Sequence, residues 1–88
     1  MSSLAKLTRL DLSGNRIAGI SPLAALSNLS WLQFSANLIA DISPLVDNSG
    51  LGKGDEVWLE ANSLDLSEGS DDLENIRRLE ARGVVVHY

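Results

Sequence analysis

Between Leu7 and Leu45 one arrangement of apolar and polar positions is written twice. Leu7, Leu10, Leu12, Asn15, Ile17, Ile20 and Leu23 return, each 22 residues later, as Leu29, Leu32, Phe34, Asn37, Ile39, Ile42 and Leu45. Ser21-Pro22 returns in the same way as Ser43-Pro44. Self-similarity at a fixed period marks an array of short units, each too small to bury its apolar face alone and stable only when stacked on neighbours.

The spacing also says what each unit is. In Leu10-Asp11-Leu12 apolar and polar residues alternate, the period of a half-buried strand, so the leucines go inward and Asp11 outward. Asn15 and Asn37 fall where the chain leaves the strand, and an Asn amide satisfies backbone groups that a turn leaves unpaired. A ladder of buried Asn side chains is therefore expected. Ser-Pro fits the start of a short helical turn, with Ser as N-cap and Pro at the first helical position. Leu23, Leu26 and Leu29, three apart, supply the apolar stripe of that outer segment.

A third unit keeps the pattern with an insertion. Leu51 lies 22 residues after Leu29, but Val57, Leu59, Asn62 and Leu64 lie 25 after their counterparts. The three added residues fall within Asp47 to Asp55, which reads as loop by composition. Gly50, Gly52 and Gly54 do not make a phosphate loop, because Gly52-Lys53 is followed by Gly54 instead of Ser or Thr and a strand comes next. Beyond Asp65 the periodicity changes: Asp71 with Glu74 offers a capping box, and a helix runs to about Arg82 with Leu73, Ile76 and Leu79 on one face and Gly83 as its stop. Acids at its start and Arg77, Arg78 and Arg82 near its end suit the helix dipole. Val84 to Tyr88 reads as a last strand, parallel to Glu56–Leu59.

The repeat, with Leu-x-x-Leu-x-Leu-x-x-Asn and a closing Ile-Ser-Pro-Leu, resembles the 22-residue leucine-rich repeats of the bacterial, internalin-like class. The ending, with its Gly-Leu-Gly-x-Gly-Asp loop and Ala81-Arg82-Gly83-Val84, resembles that of many such proteins; Ser63 stands where they often have Pro, which implies a looser turn. The resemblance implies an α/β solenoid, with a short parallel sheet on the concave face, short helical turns on the convex face, and a capping helix and strand at the C-terminus. The units are 1–6 (tail of a truncated repeat), 7–28, 29–50, 51–66 and the cap 67–88. With no polar terminal unit in front of the first, the chain is expected to be the C-terminal part of a longer array, or to cover its N-terminal edge by self-association.

Composition narrows function more than fold. At 88 residues the chain is one domain. It has no Cys, so neither disulfides nor thiolate chemistry arise. The net charge of −5 and pI near 4.5 argue against nucleic acid and anionic membranes as partners. No apolar run approaches the roughly 18 residues of a spanning helix, and Met1 to Lys6 lack the pattern of a secretion signal; the sequence assigns no compartment.

Stacked in parallel, the strands align their outward residues: Arg9, Asp11 and Ser13, then Trp31, Gln33 and Ser35, then Glu56, Trp58 and Glu60, then Val85 and His87. Arg9, Asp11, Trp31, Gln33, Glu56, Trp58 and Glu60 are the candidate partner-binding residues. Trp is enriched where proteins bind one another, although Trp31 and Trp58 would equally serve to cover the sheet. The acids favour a basic protein or peptide. Glu56 and Glu60 are too far apart along one strand to share a proton, and His87, the only His, sits near the terminus, so a Ser-His-Asp arrangement has little support and no catalytic set is expected. Asp65, Glu68, Asp71 and Asp72 match no calcium loop, and neither metal nor cofactor is assigned. The expected function is a non-catalytic protein-protein interaction module; the alternative is a structural C-terminal cap without a ligand of its own. Carbohydrate binding by Trp stacking ranks third, for want of supporting amides.

Overall fold

The computed structural model describes residues 8–88. The expectations placed on Met1 to Leu7, including the tail of a preceding unit, lie outside them. Four three-residue strands, β1 (Arg9–Asp11), β2 (Trp31–Gln33), β3 (Glu56–Trp58) and β4 (Val85–His87), form one parallel sheet in that order. Arg9, Trp31, Glu56 and Val85 stand in one row across it, Leu10, Leu32, Val57 and Val86 in the next, and Asp11, Gln33, Trp58 and His87 in the third. The middle row points into the core, as the alternation requires. The connections between successive strands carry, in turn, a 3-10 turn at Ser21–Ala25, helix α1 (Ser43–Asp47) and helix α2 (Asp71–Ala81).

The core is a column of like residues, one layer per coil. Leu32, Phe34, Ile39, Ile42 and Leu45 are fully buried in the second coil, and Leu51, Val57 and Leu59 continue them in the third. Their counterparts Leu10, Leu12 and Ile17 in the first coil are only partly buried.

The Asn positions act as expected, but not uniformly. Asn37 is buried; its amide donates to the carbonyls of Leu12 and Phe34, both at 2.9 Å, and its oxygen accepts from Ile17 N at 3.1 Å. Asn62 repeats this with Phe34, Leu59 and Ile39. Asn15, expected to be buried, is exposed, and among the described residues its amide bonds within its own turn, to Leu12 O and Ser13 O. One residue before each Asn the backbone enters the left-handed region, at Gly14 (φ 72°), Ala36 (φ 61°) and Ala61 (φ 57°). A side chain there costs about 1 kcal/mol that glycine avoids. Ala36→Gly is therefore expected to raise stability by roughly 0.5 kcal/mol in urea unfolding; a loss of similar size would show that residue 36 does not hold this conformation.

The helix starts depart from expectation. Ser21 and Ser43 are the first residues inside their turns, not N-caps; Ile20 and Ile42 hold the cap positions and offer no side-chain acceptor. In the second coil Asp41 supplies what Ser was expected to give, accepting from Ser43 N at 2.9 Å. The same Asp-x-Ser turn recurs at Asp11 and Asp65. The serine hydroxyl foremost, then the backbone N–H, holds the Asp11 and Asp65 carboxyls below their usual range; for Asp41 the backbone N–H of Ser43 leads. On α2 the cap is Ser70, not Asp71: its hydroxyl accepts from Leu73 N at 3.2 Å. Leu73, Ile76 and Leu79 are buried, and Gly83 (φ 92°) ends the helix. Arg82 ties this last element back to the second coil, donating to the carbonyls of Asn48 (3.3 Å) and Val46.

Candidate functional site

Because all four strands are parallel and in register, the first and third rows share the sheet face that looks away from the core. Trp31 lies in the first row and Trp58 in the third, one strand over, a diagonal that long side chains can bridge. Their ring centroids are 5.1 Å apart at 52°. Trp58 in turn stacks on His87, its partner in register on β4, with centroids 4.5 Å apart and planes 12° from parallel. On the other side the Arg9 guanidinium lies 4.5 Å from the Trp31 ring centroid. The result is a continuous ridge, Arg9 to Trp31 to Trp58 to His87, crossing all four strands. Each aromatic pair of this kind adds about 0.5–1.5 kcal/mol beyond area burial, and an exposed cation over a ring about 0.5–1. Because each ring covers part of the next, Trp31 and Trp58 are half-buried, not fully exposed.

Acceptors flank the ridge. The Glu56 carboxylate lies 3.4 Å from His87 Nε2. Glu60, just past β3, is exposed. In the third row Gln33 lies beside Trp58 and Asp11 one strand further out, and both spend one oxygen on a local turn: Asp11 accepts from Ser13 N and Oγ (3.1 and 2.7 Å), Gln33 from Ser35 N and Oγ (2.9 and 2.6 Å). Six of the seven expected residues thus stand on the sheet itself, with Glu60 at its rim. The arrangement offers apolar contact area bordered by carboxylates.

His87 was missed as a member of this group. Sequence reasoning had placed it on the outward face and weighed it only as a catalytic base; the signal was the register that sets it opposite Trp58. Asp65, Asp71, Asp72 and Glu74 lie elsewhere, along an open cleft of about 600 Å³ between the turn at Ala40–Ser43 and the start of α2, and Glu68 pairs with Arg77 at 2.8 Å. There Asp72 accepts from Asp65 N and Asp65 from Ser67. Among the described residues no group of three or more His, Asp or Glu is placed to hold a metal ion.

With this geometry in view, residues 5–47 match a family model described as leucine rich repeats, in two copies. No curated protein matches the sequence significantly. The matched span ends with α1, so the third coil, α2 and β4 lie beyond it.

Proposed function

We propose that this chain, whose first half carries two leucine-rich repeats, is a non-catalytic interaction module that binds a protein or peptide on the outer face of its sheet. Repeats of this family generally serve as protein-interaction modules. The observation that carries the reading is the Trp31–Trp58 ridge: two aromatic rings on a face whose other residues, Val85 apart, are charged or polar, where partners find most of their binding energy in Trp, Tyr and Arg. Asp11, Glu56 and Glu60 beside the ridge favour a segment bearing Lys or Arg, consistent with the net charge of −5. We further read the coils as a solenoid of the bacterial, internalin-like class, with this face concave and α2 and β4 as its cap.

The test is a set of peptide ligands selected by display against the folded chain. Replacing Trp31 and Trp58 together by Ala is expected to weaken their binding by about 3 kcal/mol, more than a hundredfold, with the fold retained by circular dichroism. Unchanged affinity in a folded double variant would sink the proposal.

A further inference from the structure

Among the described residues β1 ends the sheet, with β2 on one side only. Behind it Leu10, Leu12 and Ile17 remain partly exposed, whereas Leu32, Phe34 and Ile39 at the equivalent places are fully buried. The backbone is also poised for pairing. Trp31 N bonds to Thr8 O, and Leu12 N to Gln33 O, so Thr8, Leu10 and Leu12 direct their groups at β2. In a ladder the alternate residues face the other way, which turns the N–H and C=O of Arg9 and Asp11 to the open edge.

We propose that this edge binds a second copy of the same chain, antiparallel, about a twofold axis through Leu10. The charges decide the occupant. With Leu10 opposite Leu10, Arg9 of one copy stands directly across from Asp11 of the other, and Asp11 across from Arg9. Both cross-strand pairs then join opposite charges, and both fall at positions where two residues exchange their two main-chain hydrogen bonds. A strand whose sequence reads cation, leucine, anion is complementary to its own reverse, which is what an isologous interface requires. The match does not extend to the other end of the sheet: Val85 N bonds to Asp55 O and Leu59 N to His87 O, so β4 turns the uncharged Val86 to its outer edge. Pairing joins the two sheets into one of eight strands, so the aromatic ridges of both copies lie on one continuous face.

Light scattering coupled to size exclusion on the full 88-residue chain, over a wide concentration range, tests this. A reversible dimer is expected. Asp11→Arg alone, or Arg9→Asp alone, sets like charges opposite each other twice and is expected to raise the dissociation constant about 10-fold or more. Mixing the two single variants pairs an all-basic edge with an all-acidic one, and a heterodimer at least as tight as the original is expected, with circular dichroism confirming that each variant is folded. A chain monomeric throughout the range, dimers indifferent to single reversals, open-ended growth, or a mixture that stays monomeric would each overturn the proposal.

Discussion

Gly50→Ala is expected to destabilise the fold by about 3 kcal/mol or more, a fall of roughly 12–24 °C in melting temperature for a domain of this size. A Cβ on Gly50 would lie 1.8 Å from the carbonyl oxygen of Ser27 and 2.8 Å from its Cα. Both contacts are backbone, so no rotamer change relieves them. The coils are clamped at this point: the buried Asn48 amide donates to Leu23 O (2.8 Å) and Leu26 O (3.0 Å) in the coil before, and its oxygen accepts from Gly50 N. Pushing Gly50 away strains that clamp as well. Urea unfolding of the variant measures the effect, and a loss below about 1 kcal/mol would mean that the Ser27 and Gly50 backbones do not meet in solution.

The second large effect is expected at Asn37. Asn37→Leu keeps the volume about constant but leaves Ile17 N without its acceptor, and it removes one of two amide donors from Leu12 O, which keeps Asn15, and from Phe34 O, which keeps Asn62. One orphaned N–H costs about 1–3 kcal/mol and each further bond lost about 0.5–1.5 kcal/mol, so a total of about 3 kcal/mol is expected. Asn15→Leu, at the same place in the first coil, is expected to cost about 1 kcal/mol or less, because Asn15 is exposed and water replaces its bonds. The comparison is the informative part: equal costs at the two sites would show that intercoil bonding does not distinguish them.

The alternation at Leu10 to Leu12, repeated at Leu32 and Val57, was enough to read the strands, their inward residues and, through the fixed spacing, their parallel stacking. The face of α2 was legible for the same reason, since Leu73, Ile76 and Leu79 keep helical spacing. Capping was read less well. Ser21 and Ser43 carry a cap's residue type, but the preceding isoleucines must be buried to seal the core, and that fixes where the backbone turns. Asn48 escaped notice because an Asn amid Gly, Ser and Asp looks like any loop residue; only the coil packed beneath it makes it a buried donor. The same holds for Gly50, whose role depends on Ser27, 23 positions earlier. At the site, the rows of outward residues followed from period and register. The diagonal contact of Trp31 with Trp58 and the stacking of His87 depend on side-chain directions that periodicity does not encode.

Trp31 and Trp58 are the only tryptophans in the chain, and both stand on the outer face of the sheet. Intrinsic fluorescence therefore reports on that face and no other. Titrating the display-selected peptides into the intact chain while following tryptophan emission is the most direct measurement of where a partner binds. A saturable change in emission, with a midpoint equal to the calorimetric dissociation constant, is the expected result. Calorimetric binding with emission left unchanged would place the partner elsewhere and contradict the assignment of the sheet face as the binding surface.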